Sequence, residues 1–409
     1  MDTGDAAWVL TSAALVLFMT PGLALFYGGM DRTRNVLNML MMNFWCLLSV
    51  PVIWAVVGFS LAQSGDGAWL GNLDAAFLRG FGITGEDGGF GLAIVAFLGM
   101  FAVITPALIS GAVADRMKFS AWAIFVPLWL VLVFCPVFKW VYGGWLGQRG
   151  ALDFAGGTAI HVNAGIAALA AVLVLGKRKG WPAEGHPPHS MPLVMLGAGI
   201  LWFGWFGFNA GSAAAANGQA VQAFMNTFLA AAAAGLSWAV AEKLRDGNFT
   251  NLGVASGIVA GLVAITPGAG FVAGMAPIWI GLVTGVVCCY AVAFKTRAGY
   301  DDALDVVGVH FVGGLVGSLA VGLFAEPDFF GGEFMAGVFH GGGLALLGEQ
   351  ILANGVTIVY CFVVTTIIML ALKATIGVRV AEDIEDNGLD LAEHAETAYS
   401  VGAVSRAAH

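Results

Sequence analysis

The chain is built almost without pause from apolar runs long enough to cross a lipid bilayer. Runs of about 18 or more apolar residues read as membrane helices. Here they lie near 8–29, 38–62, 91–113, 119–141, 155–175, 192–210, 220–242, 252–267, 276–294, 306–324 and 348–374. Eleven spans leave little of the 409 residues for anything else. Only 11% of the residues are charged and 59% are hydrophobic, whereas a soluble domain carries roughly 25% charged residues. A soluble helical core could not cover this much apolar surface, so the expected fold is an all-α polytopic membrane protein.

Most of the 17 Lys and Arg residues fall in every second connection. These are Arg32 and Arg34, Arg116 and Lys118, Lys177 to Lys179, Lys243 and Arg245, Lys295 and Arg297, with Lys373 and Arg379 at the start of the tail. The alternate connections hold Arg79, Lys139 and Arg149 beside the acids Asp66, Asp74, Glu86, Asp87, Glu326, Asp328 and Glu333. Positive residues stay cytoplasmic, which predicts an outer N-terminus and an inner C-terminal tail. An odd number of spans requires the same opposition. The opening Met1-Asp2-Thr3-Gly4-Asp5 lacks the basic start of a signal peptide, and the run from Trp8 to Gly29 is too long for its apolar core; it reads as the first span.

Two histidines stand inside apolar spans, His161 in the fifth and His310 in the tenth. An ionisable side chain in a segment built for lipid costs about 2.5–3.5 kcal/mol or more, so such residues mark a pathway or a site. The two segments also look alike, each running from small residues through the histidine into a small-residue ladder. Two five-helix repeats are expected, about 8–175 and 192–324, inverted because five is odd, with the site near the midplane. An extra helix at 348–374 is expected to pack across the outside, which makes 1–375 the transmembrane domain and 376–409 a cytoplasmic tail. The 59 glycines suit close helix approach in lipid.

Asp153, eight residues before His161, reads as a cap at the start of the fifth helix and as a charge able to polarise a vestibule for cations. Asp305, five before His310, is its rough counterpart at the inner end. Residues 201–217 crowd Trp202, Phe203, Trp205, Phe206 and Phe208 at the outer end of the sixth span, followed by Ser212. They read either as an interfacial aromatic belt or, given Gly204, Gly207 and Gly211 between them, as the lining of a cavity where aromatic faces bind a small cation. The two histidines read as core residues, as ligands of a haem or metal, or as a neutral pair sharing a proton along a narrow pore. No further ligand pattern accompanies them, which disfavours the metal. The five cysteines lie in apolar runs without CxxC spacing and read as small hydrophobes. His186, His189, His340, His394 and His409 fall in loops or the tail. The net charge of −9 points to no nucleic-acid partner.

These residues resemble the ammonium transporter (Amt/Mep/Rh) family, in its Amt branch. The resemblance spans essentially the whole chain and rests on FMTPGLALFYGGM with RNVLNML (18–40), GALDFAGGTAIHVNAGIAAL (150–169), GWFGFNAGSA (204–213), DVVGVHFVGGLVG (305–317) and the tail GLDLAEHAETAY (388–399). It implies a transporter rather than an enzyme, without cofactor, assembled as a homotrimer with one pore per subunit. By motif position it implies that Phe101 and Phe208 form a stacked phenyl gate, that Trp205 and Ser212 belong to an external site, that Asp153 serves ammonium recognition and deprotonation, and that His161 and His310 are the twin-His pair. The family's external Trp is Tyr142 here, a weaker cation–π partner, so weaker external binding is expected. Ala395 stands where the tail usually has glycine. The expected function is recruitment of ammonium outside, deprotonation, and conduction of ammonia. A neutral gas channel of Rh type and an ammonium sensor are the alternatives, and a PII-type regulator at the cytoplasmic face is a further implied partner.

Overall fold

The computed structural model describes residues 2–84 and 88–399, so Glu86, Asp87 and the end of the tail, His409 included, lie outside the described residues. Among the described residues, eleven helices are long and apolar enough to cross a membrane: α1 (Thr3–Met30), α2 (Val36–Gln63), α3 (Phe90–Val113), α4 (Phe119–Gln148), α5 (Gly157–Leu175), α6 (Met191–Gly211), α7 (Gly218–Asp246), α8 (Asn251–Gly268), α9 (Ala276–Ala298), α10 (Val307–Phe324) and α11 (Ala345–Thr375). The protein is a multi-pass membrane protein whose helices coincide with the apolar runs to within five residues, except that α4 continues past residue 141, across a break at Tyr142, into a short helix Trp145–Gln148.

Several helices depart from regular α geometry, each for a local reason. Pro51 in α2 and Pro127 in α4 are each followed, three residues on, by a π-helical turn, Trp54–Gly58 and Leu130–Phe134. Proline removes one N–H from the ladder, and the wider turn absorbs the mismatch. Two further π-helical turns, Gly157–Val162 and Val307–Phe311, open α5 and α10 and carry His161 and His310. Such turns concentrate at functional sites because they re-aim side chains out of the regular register.

Glycine sets how closely these two helices approach. Gly165, four residues after His161, lies so near α10 that a Cβ there would sit 2.4 Å from the backbone nitrogen of Phe311. Gly314, four residues after His310, would put its Cβ 3.0 Å from the carbonyl oxygen of Gly157 and 3.1 Å from the Cβ of His161. The two crossings are reciprocal. A different glycine row of α6 lies on α1: Gly197, Gly204 and Gly207 against its backbone at Phe26, Leu15 and Ser12, and Gly211 against the Ser12 side chain and Phe97 of α3. The glycines among the aromatic residues of α6 therefore serve helix packing.

The eleventh helix does more than pack outside. One face is exposed through Ile351, Leu352, Val359, Val363 and Ile367, while Gln350, Asn354, Thr357, Cys361 and Thr365 are buried. The Gln350 amide donates to the carbonyl of Leu152 at 2.8 Å and to the backbone oxygen of Ser318 at 3.1 Å, and its Oε1 accepts from Leu152 N at 2.8 Å. Asn354 donates to Ser318 Oγ at 2.7 Å and accepts from Thr158 Oγ1 at 3.2 Å. Two amides thus tie the start of α5 to the middle of α10.

At the basic end, the connections are locked by a buried ion cluster. Arg178 reaches Asp301 and Asp115, each at 2.8 Å, and Arg32 reaches the same Asp115 at 2.9 Å. Burial pushes the Asp301 carboxyl up, but Arg178 and Arg116 outweigh it and hold the group below the usual carboxylate range. The tail lies across these connections: Asn35 Oδ1 accepts from Leu389 N, Asp390 Oδ1 accepts from Asn38 N, and the buried Glu385 meets Arg379 at 2.7 Å. Ala395 ends the last short helix with φ +56°. That left-handed conformation costs an L-residue about 1–2 kcal/mol, a cost that glycine would not carry.

Two outcomes are expected from this architecture. Leucine at Gly165 overpacks the crossing by about 1–3 kcal/mol or more, so Gly165→Leu lowers the yield of monodisperse protein on size exclusion in detergent, whereas Gly355→Leu, where a Cβ meets nothing within 4 Å, leaves it unchanged. Arg178→Met strands Asp115 and Asp301 without their shared cation, a loss of about 3–5 kcal/mol by analogy with broken buried pairs; a thermal-shift assay reads it as a clear drop in melting temperature.

Candidate functional site

The crossing of α5 and α10 brings the two sequence-predicted histidines into contact. His161 Nδ1 and His310 Nδ1 lie 3.3 Å apart, the rings 5.4 Å between centroids and 17° from parallel. Both side chains are buried, at 2% and 3% exposure. A hydrogen bond between two Nδ1 atoms requires one to donate and the other to accept, so the two rings cannot both be charged while it exists. The Nε2 of His161 is buried with no hydrogen-bond partner among the described residues.

A ring stack closes the path on the side away from the basic connections. Phe101 of α3 and Phe208 of α6 stack at 4.2 Å and 26°, both buried. Phe208 lies 6.0 Å from the His161 ring. Trp205, one helical turn from Phe208, stacks on His161 at 5.3 Å and 19° and donates its indole N–H to Thr266 Oγ1 at 2.9 Å. Trp205 therefore belongs to the path at the level of the histidines. The external position expected for it is not where it lies, because the i, i+3 spacing carries it a turn deeper than Phe208. Of the other aromatic residues of that stretch, Phe203 is exposed and Phe206 stacks on Phe224 of α7 at 4.0 Å.

Above the stack is a cavity of about 190 Å³ bordered by Phe101, Tyr142, Ser212, Phe138, Phe154 and Gln63, among others. Tyr142 reaches it because α4 breaks there: the residue caps the helix ending at Val141, with φ −105° and ψ 82°. Its ring lies 4.6 Å from that of Phe138. Ser212 sits just past the end of α6 and donates its hydroxyl to Phe208 O at 2.9 Å, which leaves the lone pairs available to a cation. Phe138, Phe154 and Gln63 were not singled out from the sequence, where nothing separates them from ordinary membrane-core residues.

Asp153 caps the start of α5, as its position suggested, and does so with both oxygens. Oδ1 accepts from Gly156 N and Gly157 N at 2.8 and 2.6 Å, and Oδ2 from Thr158 N and Ala159 N at 2.8 and 3.0 Å. Burial pushes its carboxyl above the usual range, and the four backbone donors pull against that. The charge is held in place beside the cavity, since the next residue, Phe154, lines it.

The counterpart at the other end is not Asp305. That residue pairs with Lys295 at 2.5 Å and has φ +67°, a loop position rather than a cap. The matching cap is Asp302, eight residues before His310 as Asp153 is eight before His161, with Oδ2 accepting from Val307 N at 2.7 Å. The equal eight-residue spacing was the available signal. Asp305 instead lines a cavity of about 240 Å³ at the basic end, with Lys295, Arg178, Asp31, Asp115 and His186 among its other walls.

Comparisons with known proteins identify the family and the fold. Residues 7–399 match the family described as the Ammonium Transporter Family. An ammonium transporter of Mycobacterium tuberculosis is 49% identical, with 99% of this chain and 92% of that protein covered. The ammonium transporter Amt1 of Archaeoglobus fulgidus is 43% identical over 98% of this chain and 100% of that one. Among solved structures, Candida albicans Mep2 superposes with a TM-score of 0.87 at 34% identity, covering 94% of this chain and 87% of Mep2. A protein titled Sensor Amt Protein reaches 0.89 at 28% identity, covering 96% and 98%. On residues 7–399, and on relatives this similar along their whole length, the chain belongs to the ammonium transporter family.

Proposed function

We propose that this protein carries ammonium across a membrane by binding the cation in the cavity beside Tyr142, releasing its proton there to water, and passing ammonia between Phe101 and Phe208 and along His161 and His310. The observation that carries this reading is the pair of imidazoles in Nδ1–Nδ1 contact below a closed ring stack. Such a path offers polar edges but no fixed charge. Moving a small ion from water into a low-dielectric interior costs of order 20 kcal/mol in the idealised limit. Taking a proton from an ammonium-type group near neutral pH costs roughly 3–5 kcal/mol at about 1.36 kcal/mol per pH unit. Deprotonation is the cheaper route by a wide margin.

Each residue then has a distinct part. Tyr142 and Phe101 present aromatic faces to the cation, and Ser212 presents a hydroxyl oxygen. Asp153, saturated by four N–H donors, acts as a fixed negative charge that draws the cation toward the ring stack. Trp205 keeps one side of the His161 ring dry. The basic connections face the cytoplasm, by the positive-inside rule, and the spans divide into repeats of about 8–175 and 192–324 related by inversion, which the reciprocal contacts of Gly165 and Gly314 support. Assembly as a homotrimer, and a PII-type protein at the cytoplasmic face, follow from the family resemblance.

The neighbour titled as a sensor motivates a second reading, in which ammonium binds without being conducted. Proteoliposomes holding the purified protein separate the readings. Ammonium pulses produce a transient current or a luminal pH change, potassium pulses produce neither, and the double variant His161→Leu/His310→Leu abolishes the ammonium response. Undiminished flux in that variant removes the histidines from the pathway, and a silent wild type supports the sensor. In the same assay Tyr142→Trp lowers the half-saturating ammonium concentration by about two- to threefold, the scale of a few tenths of a kcal/mol in cation–π strength; an unchanged value removes Tyr142 from the external site.

A further inference from the structure

The two capping aspartates share a register but not a state of satisfaction. Asp153 spends both oxygens on four backbone donors. Asp302, 1% exposed, spends Oδ2 on Val307 N, and its Oδ1 is buried with no hydrogen-bond partner among the described residues. A buried carboxylate oxygen without a donor is a costly arrangement, and protonation of that oxygen relieves it. A cap alone explains Oδ2 and leaves Oδ1 unexplained.

The surroundings place this oxygen at the inner end of the path. Asp302 stands eight residues before His310, in the loop that precedes the π-helical opening of α10. The three residues after it, Ala303, Leu304 and Asp305, line the cavity at the basic end. Lys295, the nearest cation, is occupied: its Nζ meets Asp305 Oδ1 at 2.5 Å and the Asp302 backbone oxygen at 2.7 Å.

We propose that Asp302 is the proton-exchanging group at the cytoplasmic end of the conduction path, its Oδ1 giving a proton to ammonia as it leaves His310. The step balances within the site: the Asp302 O–H bond breaks, the ammonia lone pair takes the proton, and carboxylate and ammonium form as an ion pair. Ammonium then leaves through the basic-end cavity, and the carboxylate takes its next proton from water there. This inference rests on the transport reading given above. Burial pushes the Asp302 carboxyl up to about 6, with Lys295 and the backbone N–H groups of Val307 and Val306 opposing and Asp305 adding to the rise, which puts its proton exchange close to the pH of a cytoplasm.

The other titratable groups around it differ in behaviour. Asp301 is held low by its arginines, and burial pushes the Tyr300 phenol up to about 12. The Tyr27 hydroxyl donates to Leu108 O at 3.2 Å. Across the cavity, Arg32 and Arg178 are paired with Asp115 and Asp301. Asp115 itself is held below the usual carboxylate range: burial raises it, and contacts to Asp31, Arg178 and Arg32 outweigh that. Burial and the neighbouring Asp115 carboxyl push Asp31 up, and burial and Arg178 push His186 down. Asp31→Asn and His186→Gln are therefore the controls.

The test uses the full-length protein and Asp302→Asn, whose amide oxygen keeps the Val307 cap while losing the proton. In resting wild-type protein, difference infrared spectroscopy shows a carboxylic C=O band that titrates with a midpoint near 6 and persists in both controls; the band is absent from Asp302→Asn. In proteoliposomes with luminal pH stepped from 5 to 8, wild-type ammonium flux depends on luminal pH in that window, and Asp302→Asn flattens the dependence and lowers the maximal rate at least fivefold with an unchanged half-saturating concentration. A band that persists in Asp302→Asn, or a variant with wild-type rate and pH dependence, overturns the proposal and leaves Asp302 as a cap. If wild-type protein conducts no ammonium, the transport reading fails on its own, and the infrared titration still decides whether Asp302 holds the exchangeable proton.

Discussion

The loss of hydration on entering a low-dielectric interior governs this molecule from end to end. A cation that leaves water must find equivalent contacts or give up its charge. Between the ring stack and the basic end, the described residues put no buried carboxylate within the spans at the level of the histidines, where indole, phenyl and imidazole surfaces meet. Carboxylates that approach the path, Asp153 and Asp302, stand at the first turns of the two half-helices, one at each end. Charge is confined to the mouths. The close glycine crossings follow from the same constraint, because two imidazoles can exclude solvent from each other's Nδ1 only if their helices nearly touch.

Much of this was legible in the sequence because membrane insertion writes itself into composition. The eleven helices follow from runs of apolar residues whose length the bilayer dictates, and the histidines stood out against that background. Phe208 and Ser212 stood in an aromatic stretch already readable as a cavity lining, but Phe101 and Tyr142 were reachable only through family resemblance, since a phenylalanine lining a path and one facing lipid look the same in a one-dimensional pattern. Depth was the weak point. Trp205 and Phe208 are three residues apart, and only the phase of α6 shows that one faces His161 beneath the stack and the other closes it. Gln350 and Asn354 were overlooked because isolated amides in a long apolar helix carry no periodic signal. Asp302 was passed over for Asp305 because the motif drew the eye to its first letter, while the eight-residue spacing shared with Asp153 went unused.

The basic end works by different physics. There water is near, and order comes from arginines that each serve two partners: Arg178 joins Asp115 to Asp301, and Arg116 gathers the carbonyls of Ala112, Ala114, Gly176 and Asp301. Three connections are thereby fixed to one another, a fourth joins them through Arg32 and Asp115, and the tail is hydrogen-bonded beside them at Asn35, Asn38 and Phe119.

The amide staple of α11 sets the kind of machine this is. Carriers that expose a site alternately to either side need an interface between their halves that can slide. Here Gln350 and Asn354 pin the start of α5 to the middle of α10 through directional bonds in a region without water to replace them. Shearing the halves by even one helical turn would strand those amides in hydrocarbon. In the transport proposed above, the filter would then be stationary, with guests shedding and regaining their solvent at its two thresholds.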